Sequence, residues 1–130
     1  MKLYRMMKTA TDGLPEVGDT FAKLGVRPTI VGRGGDVRAT NPSDLVRPGE
    51  GGMSVAAASP DTLPGLMRPS ARKHPVWEID ASDLGEGLIA SAAGPPHYHV
   101  EPDREMTLDE LQTLLAATRT RWVRVREVVP

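Results

Sequence analysis

Four groupings of residues in this 130-residue chain have types and spacings that chemistry can use. His97, His99 and Glu101 stand at i, i+2 and i+4, so on a strand all three point to one face. Two imidazoles and a carboxylate can bind zinc or iron. Yet the chain has only three histidines and no cysteine. A β-barrel metal site would need a later histidine that is absent, so no metal is expected, and a half-buried, hydrogen-bonded His97 is an equal reading. Ser54 lies in Gly52-Met53-Ser54-Val55-Ala56, close to the nucleophile elbow G-x-S-x-G but with Ala last. That elbow belongs to a larger hydrolase fold, and Pro60 interrupts the segment that follows. Ser54 therefore reads either as a locally bonded strand serine or as a residue lining a ligand pocket. Gly32-Arg33-Gly34-Gly35 follows an apolar triplet, but a dinucleotide fingerprint needs a helix starting at the glycines, and Asn41-Pro42 comes too soon for one. Glu78, Asp80 and Asp83 could in principle run glycoside chemistry. Solvated acids around a strand are the commoner use of such residues.

Composition narrows what can position these groups. One chain of 130 residues makes one domain with a modest core. The formal net charge is −1, so no overall field draws the chain to nucleic acid. One Phe, two Trp and two Tyr leave little for base-stacking platforms. The absence of cysteine removes disulfides and thiolate nucleophiles and fits a reducing compartment. Gly and Pro together supply 25 of the 130 residues, about twice ordinary usage, so the fold is expected to be loop-rich with short elements. No apolar signal core follows the cations of Met1–Ala10, and no segment approaches the ~20 apolar residues of a membrane span. A soluble protein made in the cytoplasm is expected. Delivery into a target cell by a route that needs no cleaved signal peptide is compatible with these residues.

Alternation and turn residues then place the elements. Lys2–Met7 reads as a strand, bounded by the turn signals Asp12-Gly13 and Leu14-Pro15. Phe21–Leu24, closed by Gly25, reads as one or two helical turns, and Thr29–Val31 as a brief strand. Gly32–Glu50 reads as a long loop, and loops of that length in small domains are usually functional. Gly51–Ala57, Pro75–Asp80, Leu88–Ala90 and His97–Glu101 read as strands, with Ser82–Leu84 a turn. Pro60, Pro64, Pro69 and Pro75 forbid a long helix before Val76. Thr107-Leu108-Asp109-Glu110 is a capping box opening a helix from 108 to about 123, with Leu108, Leu111, Leu115 and Trp122 on one stripe. Val123, Val125 and Val128 extend that helix or form a frayed strand. Acids come first in this last part and Arg119, Arg121, Arg124 and Arg126 last, which suits a helix dipole and reads as a solvated helix end. The order is strand-rich with one late helix, hence α+β.

Three stretches carry a resemblance: Leu3-Tyr4-Arg5, Gly51-Gly52-Met53-Ser54-Val55, and His97-Tyr98 through Pro102 to Met106, followed by a helix ending in Arg121-Trp122. In this order they resemble a family of bacterial effector toxins delivered by type VI secretion, with an ADP-ribosyltransferase-like fold and a dedicated immunity protein. The resemblance implies a single α+β domain over residues 1–130, with a small split antiparallel β-sheet core, short helices and a C-terminal helix. It implies an antibacterial toxin acting in the cytoplasm as an NAD-dependent ADP-ribosyltransferase, with NAD as co-substrate. Arg5, with Tyr4 beside it, matches the first-strand position that holds NAD. Ser54 matches the strand residue that orients the nicotinamide ribose, although Met53 stands where a Thr is often found. His97 matches the strand-opening His, and Glu101 the late-strand acid that stabilises an oxocarbenium-like transition state. The cognate immunity or antitoxin partner is expected to be acidic, since Gly32–Glu50 carries Arg33, Arg38 and Arg47. Two other readings stay open: a non-catalytic protein-binding module built on the glycine-rich loops, and a small metal-dependent enzyme using His97, His99 and Glu101.

Overall fold

The computed structural model describes residues 1–57 and 74–125. The readings at Pro60, Pro64, Pro69, Arg126 and Val128 lie outside those residues. Among the described residues, eight strands and one α-helix follow in chain order: β1 (Lys2–Met6), β2 (Leu45–Val46), β3 (Met53–Ala57), β4 (Val76–Asp80), β5 (Leu88–Ala92), β6 (His97–Pro102), β7 (Met106–Thr107), α1 (Leu108–Ala117) and β8 (Val123–Arg124). Six of the strands form one antiparallel sheet in the order β5-β6-β3-β1-β4-β8, and β2 and β7 form a separate two-stranded ribbon. This is the α+β layout expected, and the strands at 2–6, 53–57, 76–80, 88–92 and 97–102 fall where strand-like runs between turn residues put them.

One seam of the sheet is short. Along the β1–β4 border five residue pairs face each other, from Lys2↔Asp80 to Met6↔Val76. Along the β1–β3 border only Leu3↔Ala57 and Tyr4↔Ala56 do. Beyond Tyr4 the two strands part.

The face of the sheet that bears Leu3, Met53, Val55, Ile79 and Val100 packs with Leu108, Leu111 and Leu115 of α1 to make the main core. Tyr4, Ala56 and Val76 make a small cluster of their own, on the side reached by the other parity of β1. Leu111 and Leu115 are fully buried, as helical spacing required. The capping box forms with a twist. The Thr107 hydroxyl accepts from the Glu110 N–H at 3.1 Å and donates to the Glu110 carboxylate at 3.3 Å.

Local propensity was overruled in three places. The helix stops at Ala117, six residues short of the expected end, because Thr118 is claimed by other bonds. The buried Thr118 hydroxyl donates to the Leu115 carbonyl and accepts from the Trp122 indole N–H at 2.9 Å. A 3-10 turn (Arg119–Arg121) therefore follows, and Trp122 is buried through extended backbone. Phe21–Leu24 is not helical: Ala22 has φ +62°, and its carbonyl accepts from Lys8 while the Leu24 N–H donates to Glu16. Pairing with neighbouring segments replaces pairing along a helix. Thr29–Val31 is no strand, because Ile30 and Arg33 exchange two backbone bonds of 3.0 Å and close a tight turn.

The late arginines are more than a solvated helix end. Arg119 bonds the Pro15 carbonyl and both oxygens of Asp12, and Arg121 reaches the carbonyls of Asp83 and Leu84. Among the described residues no helix is long and apolar enough to cross a membrane.

Truncating the helix face should cost more than uncapping it. Leu111→Ala is expected to lose about 2–5 kcal/mol of unfolding free energy. Thr107→Ala is expected to lose about 0.5–2 kcal/mol. Urea denaturation of both variants checks the order.

Candidate functional site

The parting of β1 and β3 is filled by one side chain. Arg5 is only 7% exposed, although it carries a charge. Its Nη1 donates to the Ser54 backbone carbonyl at 2.6 Å, and its Nη2 and Nε donate to the Lys23 carbonyl at 2.9 and 3.3 Å. A buried cation is tolerable only when so bonded. Three of the five guanidinium N–H groups are thus spent on main chain. Burial pushes the Arg5 pKa down to about 10, opposed by nearby Asp36, and the group stays charged at neutral pH. The expectation that Arg5 and Ser54 share one place is met, but through the serine's carbonyl rather than its hydroxyl.

At this opening lies a cavity of about 250 Å³, lined by Arg5, Met6, Phe21, Ala22, Arg27, Asp36, Ser54, Val55 and His97. Ser54 and His97, 43 positions apart, are therefore brought together with Arg5. The half-buried Ser54 hydroxyl and the exposed His97 ring have no hydrogen-bond partner among the described residues. The β3–β6 register adds a residue that sequence reasoning assigned only to a metal. Ser54 pairs with His99, while His97 pairs with Ala56. Directly opposed residues of an antiparallel pair share a face with Cβ atoms about 4.5–5.5 Å apart, so His99 is the nearer imidazole by register.

Two assigned residues do not line this cavity. Tyr4 packs with Ala56 and Val76, and Glu78 stands opposite it across the β1–β4 border. Burial first, and then Glu78, raise its pKa above the ordinary phenol value. Alternation along β1 sends Tyr4 and Arg5 to opposite faces; Tyr4 shares the face of Ala56 and His97, but it is packed into its own cluster with Ala56 and Val76 rather than at the opening. Glu101 is 7% exposed, and its two oxygens accept from the Ser91 hydroxyl at 2.7 Å and the Gly49 N–H at 3.1 Å. Its carboxylate is occupied in anchoring the turn that enters β3. His97, His99 and Glu101 belong to one strand, as read, yet the described residues contain no group of three or more His, Asp or Glu able to hold a metal.

The glycine pair ahead of Ser54 has a steric purpose. Gly51 has φ +109°, and a Cβ there would overlap the Asp36 carbonyl. One at Gly52 would overlap the Val100 carbonyl of β6. Gly51 thus lets the entry to β3 approach the 36–37 segment, and Gly52 lets it approach β6.

Sequence reasoning missed Arg27 and Asp36. The Asp36 carboxylate, 6% exposed, accepts from the Arg27 backbone N–H at 2.7 Å and from its guanidinium at 3.1 and 3.3 Å. These bonds, and then the charge of Asp36, raise the Arg27 pKa. Gln112 of α1 fixes the neighbouring residue, since its amide accepts from the Val26 N–H and donates to the Val26 carbonyl. Gln112 is 86 positions away in sequence, so no local pattern marks Arg27 or Asp36.

The sheet, the late helix and the opening at β1–β3 define a small α+β domain with a polar cleft between its two central strands. A family model described as Tse2 ADP-ribosyltransferase toxin matches residues 1–124. The chain belongs to that family of ADP-ribosyltransferase toxins. No curated protein and no solved structure matches the chain.

Arg5→Lys keeps the charge but not the fork that reaches two carbonyls. It should lower stability by about 1–3 kcal/mol for each buried carbonyl left unpaired, read by urea denaturation. Tyr4 offers a test in pH. With its folded pKa raised, the unfolded chain loses this proton first, so its contribution to stability is complete below pH ~10 and is lost as pH rises through the folded value. The difference spectrum between wild type and Tyr4→Phe should show phenolate appearing above the ordinary tyrosine range.

Proposed function

We propose that this protein is an antibacterial toxin that acts in the cytoplasm as an NAD-dependent ADP-ribosyltransferase. The observation that carries the reading is the meeting of Arg5, Ser54 and His97 at one cavity, in a chain of an ADP-ribosyltransferase toxin family. The residues present fit part of a dinucleotide. They offer cationic side chains for an anionic group, a hydroxyl without a partner among the described residues for ribose, and an imidazole beside it. The cavity of about 250 Å³ lies just below the ~300–1,000 Å³ usual for ligand sites. It suits the nicotinamide-ribose end rather than the whole molecule.

NAD, when bound, supplies a ribosyl carbon whose bond to nicotinamide can be broken in favour of an acceptor. The chain's own groups bind and orient. Ser54 donates to or accepts from the ribose, and His97 or the cross-strand His99 bonds the ligand or directs that hydroxyl. Arg5 holds β1, the Lys23 segment and β3 together and presents its remaining N–H groups to the cavity. Glu101 acts through the Gly49 turn, as a positioning residue for the strand that bears Ser54.

A toxin of this kind must be kept inactive in the cell that makes it. An acidic immunity protein that covers the opening suits Arg33 and Arg38, which are exposed and unpaired among the described residues. Delivery by a type VI apparatus accords with the resemblance and needs no cleaved signal.

Inducible expression in a bacterial host tests the reading. Wild type should arrest growth and deplete cellular NAD. Ser54→Ala, which removes one oxygen from a strand position, should relieve both while keeping the wild-type unfolding midpoint. A folded Ser54→Ala variant that remained fully toxic would remove the ligand role of this cavity.

A further inference from the structure

Beside the cavity of about 250 Å³ lies a second hollow of about 500 Å³. Its walls include Thr20, Phe21, Arg27, Pro28, Ile30 and Arg33. Phe21 and Arg27 line both spaces, so they form the waist of one two-lobed groove. Together the lobes reach the volume that a dinucleotide-sized ligand needs.

The two arginines at this groove are in different states. Arg5 is buried, and most of its donors are committed to the Ser54 and Lys23 carbonyls. Arg27 is half exposed, at 50% for its side chain. Its Nε and one N–H of Nη2 go to Asp36, which leaves both N–H groups of Nη1 and the second on Nη2 without a partner among the described residues. Asp36 clamps one edge of the fork and so fixes the direction of the other. The chain around it is held as well, by the two Gln112 bonds to Val26. A planar, held guanidinium with an open edge is the geometry that phosphate oxygens take in pairs. Next to it the chain's single phenylalanine stands 57% exposed, with Ile30 48% exposed across the same hollow. A flat apolar wall beside a cation suits a base, and base–aromatic stacking is sequence-tolerant.

We propose that Arg27 is the phosphate anchor of the groove: it binds the diphosphate bridge of a dinucleotide at the waist, with the adenosine half in the larger lobe against Phe21 and the ribosyl end beside Ser54. The inference rests on the NAD reading above and adds to it the residue that grips the anion. Arg5, in this arrangement, shapes the site, and Arg27 contacts the ligand.

Calorimetric titration of the purified full chain with NAD and with ADP tests it. Wild type should bind both, because both carry the diphosphate and the adenosine. Arg27→Met should weaken both by about 10–100-fold, the range for losing a charged hydrogen-bond partner, and should flatten the salt dependence of binding. Phe21→Ala should weaken both as well and leave that salt dependence in place. Asp36→Asn controls for a merely structural role. It removes the clamp but keeps the Arg27 charge, so its loss should be several-fold smaller than that of Arg27→Met. Equal losses in the two variants would overturn the proposal and make the pair a loop staple only. Wild type binding NAD with Arg27→Met unchanged would overturn this inference alone. Failure of wild type to bind NAD at all would overturn the NAD reading and this inference with it.

Discussion

The guanidinium of Arg5 is the interaction on which the rest of the site depends. It sits where two central strands of a sheet stop pairing, and it replaces the missing ladder with bonds to two carbonyls. A cation cannot be left unpaired in such a place, because burying a charge without partners costs far more than a small domain's whole stability. The requirement works in both directions. The carbonyls of Lys23 and Ser54 need donors as much as the cation needs acceptors. The irregular segment at 21–24, the first strand and the third strand are thereby fixed relative to one another. The cavity is the space that this fixed opening leaves.

The irregular half of the chain is held by a few specific bonds rather than by regular structure. Thr29 accepts from Gly35 and donates to the Val37 carbonyl. Asp44 accepts from the N–H groups of Thr40 and Asn41, which holds its carboxyl below the usual carboxylate range. Gln112 and Arg119 reach from the C-terminal part back to residues before 27. Glycine is used where backbone must meet backbone, at Gly51 and Gly52. Such a scaffold places side chains without needing long strands or helices, and it explains how a chain so rich in Gly and Pro can still have a defined pocket.

The strand His97-Tyr98-His99-Val100-Glu101 shows how a motif divides once it is folded. By pattern it could be one metal-ligating face. In the sheet His97 lies against Ala56, His99 against Ser54, and Glu101 against Ile89, with the Glu101 carboxylate used up by Ser91 and Gly49. The imidazoles face the centre of the sheet and the carboxylate secures its border. One strand thus serves both the cavity and the turn that leads into it.

Short strand-like runs between turn residues located five of the strands of the main sheet, with clear alternation at Pro75–Asp80, because extended segments and the turns that bound them are set by residues close together in the chain. The capping box and the Leu111–Leu115 spacing fixed where the helix begins and which side is buried, since both are contacts within a turn or two of the chain. The resemblance and residue type together marked Arg5, Ser54 and His97 as partners. The tertiary structure decided everything that turns on non-local bonds. The helix ends at Ala117 because the Trp122 indole claims Thr118, and Phe21–Leu24 unwinds because its backbone pairs with Lys8 and Glu16. Tyr4 leaves the cavity because it packs against Ala56 and Val76, and Glu101 because a turn 52 positions earlier donates to it. Arg27 and Asp36 are held at the site by one another and by contacts of their neighbours with Gln112, Thr29 and Gly51. No short stretch of sequence contains those distances, which the fold alone supplies.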